Sequence, residues 1–297
     1  MTPLDYVNIV PALILGLIQG LTEFLPISSS AHLRIAGLVM PGAEDPGATF
    51  TAITQIGTEL AVLLYFRKDI ANIIRSWFLS VFSRRRGAGR FLTPEQRVQA
   101  RLGWFIIGGT IPIAVLGLVF QGTIRETFRS LWLIGAVLVI FGIILWIADK
   151  AGRTDRVLAD MKLSQGVAIG LAQALALIPG VSRSGATISM ARALGFNRAA
   201  AARFAFLLAI PAVLASGIYE TYSAIKDQIS GEGAIPTIPF TWYEIGAATA
   251  VAFVVGLAII AFLMNYLKKY SFLPFVLYRI ALGGTILVLL TIGVIQP

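Results

Sequence analysis

Apolar residues run in long blocks along this chain, and charged residues gather in short segments between them. The uncharged stretches 102–120, 131–148, 163–182 and 245–267 approach or exceed the roughly 18 residues that cross a bilayer core. Further apolar stretches at 48–66, 204–219 and 272–295 read as spans as well. In lipid the backbone must satisfy its own hydrogen bonds, so the pattern predicts an all-α, polytopic membrane protein. One short segment breaks the rule of long blocks: Ile70, Ile73, Ile74, Trp77, Phe78, Val81 and Phe82 fall at helical spacing among basic residues. That spacing predicts an amphipathic helix lying in the interface.

Composition agrees. Of 297 residues, 57% are hydrophobic and 13% charged, against roughly a quarter charged in an average soluble domain. A soluble globule is excluded. The chain has no cysteine, which excludes disulfide and thiolate chemistry, and its single histidine, His32, excludes a multi-histidine metal site. No cleaved signal peptide is expected, because the start carries Asp5, lacks a basic segment, and its first apolar run ends in Glu23.

The net charge of +9 raises nucleic acid as a partner, but the distribution of the charge points to a membrane. Of the 24 Lys and Arg, nine lie between Arg67 and Arg101, and 149–162, 192–203 and 268–279 hold most of the others. The positive-inside rule puts these segments, including the loop 67–101, in the cytoplasm. Segment 220–244 has four acidic residues and one Lys, so it reads as outside. Threading the chain through these sides produces a conflict. Segments 149–162 and 192–203 both belong inside, yet only one apolar stretch, 163–191, separates them, and Pro179, Gly180 and Arg183 interrupt it. A re-entrant hairpin resolves this, since irregular backbone at membrane depth is tolerated where protein or a water-filled cavity surrounds it.

The chain also repeats itself. Residues 16–30 read GLIQGLTEFLPISSS and residues 170–184 read GLAQALALIPGVSRS, aligned with one residue of slippage at the proline. By the same threading 6–40 forms a second hairpin, and the spans leaving the two hairpins run in opposite directions. The expected architecture is a single membrane domain over 1–297, with six transmembrane helices and two re-entrant helical hairpins. It forms an inverted-topology repeat of about 1–148 against 162–297, in which broken helices meet near the midplane and build the site.

The stretches Gln19–Gly–Leu–Thr–Glu23–Phe–Leu–Pro26–Ile–Ser28–Ser29–Ser30–Ala–His32 and Pro179–Gly180–Val–Ser182–Arg183–Ser184–Gly185–Ala–Thr187 resemble the two signature motifs of the undecaprenyl-diphosphatase, or bacitracin-resistance protein, family. The resemblance implies hydrolysis of undecaprenyl diphosphate to undecaprenyl phosphate and phosphate, which recycles the lipid carrier of peptidoglycan synthesis. It further implies a divalent cation, Mg²⁺ or Ca²⁺, and a site opening to the outer face of a bacterial inner membrane. The family's first motif accepts Glu or Gln at its opening position. Gln19 here leaves one acid in that motif.

The residues carry an argument of their own. Gln19 and Glu23 are four apart and share a helix face, so Glu23 is the candidate metal ligand, with Gln19 either a weaker ligand or a hydrogen-bond donor behind it and diphosphate oxygens completing the shell. A carboxylate reaching interfacial water is the plainer alternative. Ser28 and Ser30 suit the N-cap of a second half-helix, and a helix N-terminus also favours phosphate. Ser29 is the first-choice nucleophile and His32, one turn on, its base, with metal-activated water and direct attack by His32 as the alternatives, or His32 simply a hydrogen-bonded core residue. Arg183 reads either as a snorkelling cation or as a bidentate clamp on the diphosphate, helped by Ser182, Ser184 and Thr187. Gln173, at the opening of the second repeat, is placed with the substrate-binding groups. Glu59 reads as an arginine partner or an outer part of the site, and Arg279 as a snorkelling residue without chemistry.

A phosphatase and a lipid flippase or secondary transporter both fit this architecture. The convergence of acid, serine, histidine and arginine, with the resemblance, favours the enzyme. Expected partners are the polyprenyl diphosphate and membrane lipids. A homodimer is compatible with everything read here.

Overall fold

The computed structural model describes residues 9–40, 46–85, 92–120, 130–152, 155–230 and 240–296. Expectations that fall on other positions, including the start of the first hairpin at residue 6, the uncleaved N-terminus and the loop tips at 86–91, 153–154 and 231–239, lie outside the described residues.

Among the described residues the chain is helical, and β pairing is limited to one bridge between Arg156 and Phe196. In chain order the helices are α1 (Ile9–Thr22), α2 (Ser29–Val39), α3 (Gly47–Tyr65), α4 (Arg67–Arg85), α5 (Pro94–Val119) and α6 (Leu131–Ala151). There follow α7 (Leu163–Ala174), α8 (Arg183–Ala193), α9 (Arg198–Ser230), α10 (Trp242–Tyr266) and α11 (Leu273–Thr291). Five of them, α5, α6, α9, α10 and α11, are long and apolar enough to cross a membrane, and α3 taken with α4 makes a sixth.

The break between α3 and α4 bends the chain by 78°. Beyond it α4 presents Ile74, Phe78 and Phe82, each about half exposed, while Ile73 is buried and Trp77 packs on Trp104 of α5. The expected amphipathic helix is therefore present. The expected span at 204–219 lies within α9, which has 33 residues and is about 50 Å long at 1.5 Å per residue. Hydropathy detects only the part of a helix that matches the hydrocarbon core, whereas this one continues into the acidic segment beyond it.

Two helical breaks shape the centre. The residue before α2 is Ser28 (φ 74°), and the one before α8 is Ser182 (φ 68°); they are the only non-glycine residues with positive φ among those described. Each caps its helix in the same way: Ser28 Oγ accepts from Ala31 N, and Ser182 Oγ accepts from Gly185 N. The left-handed conformation is costly for a serine and persists where the surroundings hold it. The cap expected from sequence supplies part of that hold.

Close helix contacts fix the two broken helices against long ones. A Cβ on Gly16 of α1 would lie 2.4 Å from Ala248 O of α10, and one on Gly170 of α7 would lie 2.5 Å from Gly109 O of α5. Only glycine permits such approaches, the usual way in which helices associate in lipid without a hydrophobic drive. At one end of the bundle, Asp149 receives Arg192 Nε at 3.0 Å, Arg198 Nε at 2.8 Å and the Phe272 amide at 3.2 Å. This buried carboxylate ties the end of α6 to α8, α9 and α11.

Candidate functional site

The site begins where α1 ends. Glu23 lies just past the last turn of α1, its amide still donating to Gln19 O, and it is 7% exposed. Its Oε2 accepts from Gln19 Nε2 and from Ser29 Oγ, both at 2.7 Å, with Gln55 Nε2 at 3.5 Å. Its Oε1 accepts from Arg183 Nη2 at 2.5 Å. Ser29 opens α2 and Arg183 opens α8, so the first residues of the two half-helices converge on one carboxylate from opposite breaks. Glu23, Ser29 and Arg183, assigned to the site from sequence, are thus brought together.

The remaining serines brace this meeting point. Ser28 Oγ lies 3.1 Å from Ser30 Oγ, and Ser182 Oγ lies 3.1 Å from Ser184 Oγ. Ser184 Oγ also donates across the breaks to Leu25 O at 3.2 Å. Thr187 Oγ1 donates back to Arg183 O of its own helix at 2.7 Å and is fully buried, so here it stiffens α8. Gln173 is also fully buried, with neither amide atom hydrogen-bonded, and lies outside the set of residues that meet at Glu23.

His32 is elsewhere. Its Nδ1 is 2.7 Å from Ser28 O, and its Nε2 is 2.7 Å from the Tyr278 hydroxyl of α11, with the two rings stacked. A carbonyl only accepts, so Nδ1 carries the proton, and Nε2 of the neutral ring accepts from Tyr278. The Ser29–His32 pairing expected from helical spacing is not made, and the proton acceptor that Ser29 touches is Glu23. Residues one turn apart are rotated from each other around the helix axis, and that rotation points the imidazole toward α11.

Arg279 corrects a second expectation. Instead of snorkelling, it is fully buried and donates to four carbonyls: Leu138 O at 3.3 Å, Pro26 O at 3.1 Å, Gly180 O at 2.8 Å and Val181 O at 3.0 Å. One guanidinium therefore satisfies backbone oxygens in both breaks at once, where helix has stopped and water is excluded. Sequence carried a signal for this. Gly283 lies four residues on, on the same face, and a Cβ there would lie 2.6 Å from Gly135 O, so this face meets α6 rather than lipid. An Arg279→Lys protein, with three tetrahedral donors in place of a planar fork, is expected to melt several degrees lower and to lose most activity. Melting of the purified protein in detergent checks this, and a parent-like melting temperature contradicts the assignment.

Glu23, Ser29 and Arg183 line a chamber of about 540 Å³, within the range of small-molecule sites. Its lining also includes Ser28, Ser30 and Ser182, and Ser216 and Glu220 from α9, while Ile113 and Leu118 of α5 and Ala212 and Val213 of α9 form apolar wall. A charged head with a hydrocarbon tail matches both parts.

The residues present suit a hard divalent cation. Gln19 Oε1 and Glu59 Oε1 are buried oxygen acceptors without a partner; Gln19 bonds Glu23 through its Nε2 and Glu59 lines a small cavity with Glu23, and oxygen is the donor such ions take. Among the described residues no group of three or more His, Cys, Asp or Glu forms, so amide or substrate oxygens would have to complete any shell.

Fold and site together define a multi-pass, all-helical membrane protein with a buried cluster of Glu23, Ser29 and Arg183 lining a largely apolar chamber. Sequence comparison identifies the kind: the chain belongs to the family described as bacitracin resistance protein BacA, matched over residues 12–285. It is 55% identical over 284 residues to the undecaprenyl-diphosphatase of Clavibacter michiganensis subsp. michiganensis, covering 96% of this chain and 97% of that one. It is 54% identical over 287 residues to the undecaprenyl-diphosphatase of Micrococcus luteus, covering 97% and 99%. With that of a Nocardioides species it shares 53% over 291 residues, covering 97% and 99%.

Proposed function

We propose that this protein is an undecaprenyl-diphosphate phosphatase of the bacterial inner membrane, with its site opening to the outer face. The observation that carries the reading is the convergence of Ser29 and Arg183 on Glu23 in the lining of the chamber. The family membership and the names of the relatives agree with it.

The chemistry follows from positions. Phosphoryl transfer proceeds through a loose transition state in which placement and charge stabilisation dominate. Ser29 Oγ attacks the terminal phosphorus, the bond to the bridging oxygen breaks, and undecaprenyl phosphate leaves as an oxyanion. The hydroxyl proton passes to Glu23. Water then attacks the phosphoserine, the phosphorus–Oγ bond breaks, Glu23 returns a proton to Oγ, and inorganic phosphate departs. Arg183 clamps the phosphate oxygens on which charge collects. The free amides at the start of α2 and α8, set by Ser28 and Ser182, face the same anion. His32 holds the first break through Ser28 O and acts as a positioning residue. Mg²⁺ or Ca²⁺, held by Glu23 with Gln19, would neutralise diphosphate charge.

The proposed architecture remains six spans with two re-entrant hairpins, α1–α2 and α7–α8, in an inverted repeat. Matching serine breaks and matching glycine contacts at Gly16 and Gly170 support it. Because the chain has no native thiol, single cysteines report sidedness cleanly: position 85 should label only from the cytoplasm and position 228 only from outside. The reverse result overturns the threading.

Purified protein in detergent, given Mg²⁺ and undecaprenyl diphosphate, should release phosphate. Activity that appears only across a sealed bilayer, with no phosphate released, favours the transporter instead.

A further inference from the structure

One buried acid has no place in the mechanism above. Glu59 sits in α3, outside both motifs, and is 1% exposed. Its Oε2 lies 4.0 Å from Arg183 Nη2, the nitrogen that also donates to Glu23 Oε1. A structural ion pair accounts for that oxygen. It does not account for Oε1, which is buried without a partner.

Glu59 and Glu23 also line a second, small cavity with Arg183, walled by Phe24, Val62 and Phe206. Its volume of about 10 Å³ is close to one water-sized particle. Two carboxyl groups share a single guanidinium in a buried place, and a buried acid without its own cation either stays protonated or coordinates metal. Next to them, Gln19 donates to Glu23 through Nε2, while its own Oε1 stays unpartnered.

We propose that the divalent cation sits between Glu23 and Glu59, within reach of position 19. Glu59 then supplies from α3 the second carboxylate that the first motif lacks because it opens on Gln19. Mg²⁺ is commonly held by one or two carboxylates together with substrate phosphates, and this arrangement provides both carboxylates before substrate arrives. Arg183, which lines the small cavity and the large chamber alike, is left to face the diphosphate. The inference rests on the phosphatase reading for the role of the ion, not for its location.

Mn²⁺ is the probe, its binding to purified protein in detergent followed by the electron paramagnetic resonance of the free ion, without substrate. Glu59→Gln keeps shape and hydrogen-bonding capacity but removes the charge. It should weaken Mn²⁺ binding at least about tenfold, the lower bound for losing even an outer partner of a metal site. Adding Gln19→Glu to Glu59→Gln returns a carboxylate beside Glu23 and should recover most of the lost affinity, a rescue that repair of a folding defect does not give. Parent-like Mn²⁺ binding by Glu59→Gln overturns the proposal, as does a double variant no better than the single. A parent that binds Mn²⁺ through Glu59 yet releases no phosphate from undecaprenyl diphosphate keeps the cation site and defeats the phosphatase reading instead.

Discussion

Glu23→Ala should fold, elute as the parent does, and release phosphate at least about a hundredfold more slowly, a barrier increase of about 2.7 kcal/mol. The size follows from what the carboxylate holds. Gln19, Ser29 and Arg183 donate to it at 2.5 to 2.7 Å, with Gln55 at 3.5 Å, so one carboxylate joins the end of α1 to the starts of α2 and α8. Without it, Ser29 loses its proton acceptor and Arg183 keeps only the more distant Glu59, at 4.0 Å. Glu23→Gln separates charge from shape. It retains an oxygen for Ser29 but presents an amide to Arg183, so it should fail nearly as badly if charge is the requirement. Initial rates of phosphate release at saturating Mg²⁺ measure both variants, and near-normal turnover by either removes the Glu23 carboxylate from the mechanism.

Much of this arrangement was legible in sequence because membrane depth makes exceptions conspicuous. The positive-inside conflict around 163–191 points to a break in that stretch and the GLxQ repeat to a second, and helix does stop between Leu177 and Arg183 and between Thr22 and Ser29. Serine after proline predicted the caps, and Ser28 and Ser182 make them. What sequence could not provide was rotation about a helix axis. Ser29 and His32 are one turn apart, but the imidazole meets Tyr278, 246 residues away in the chain. Nor does a run of apolar residues reveal which side faces lipid, so Arg279 looked like a residue reaching for the interface although it braces two breaks in the interior. Glu59 carried the opposite kind of signal, a costly carboxylate on a span. Its partner became visible only when α3 and α8 were placed together. The extent of α9 was hidden for a simpler reason, since hydropathy ends where water begins and the helix does not.

The identity of the nucleophile turns on the same rotation. In the structure Ser29 Oγ lies 2.7 Å from the Glu23 carboxylate and lines the chamber, whereas both nitrogens of His32 are engaged, one by Ser28 O and one by Tyr278. A side chain with both ring nitrogens committed must break a contact before it can attack phosphorus. Ser29 needs no such rearrangement. Ser29→Ala should therefore lose activity on the order of 10³-fold or more, about 4 kcal/mol, because among the described residues no other hydroxyl is hydrogen-bonded to the Glu23 carboxylate. It should still bind the diphosphate, since Arg183 and the half-helix amides remain. His32→Ala should lose less, because it loosens the first break without removing a reacting atom. Acid quenching during turnover gives a second readout. A phosphoserine survives acid and should be found on Ser29 of the parent, while a phosphohistidine is lost under the same conditions. Substantial turnover by Ser29→Ala with none by His32→Ala, together with an acid-labile phosphoenzyme, would transfer the nucleophile's role from the serine to the histidine.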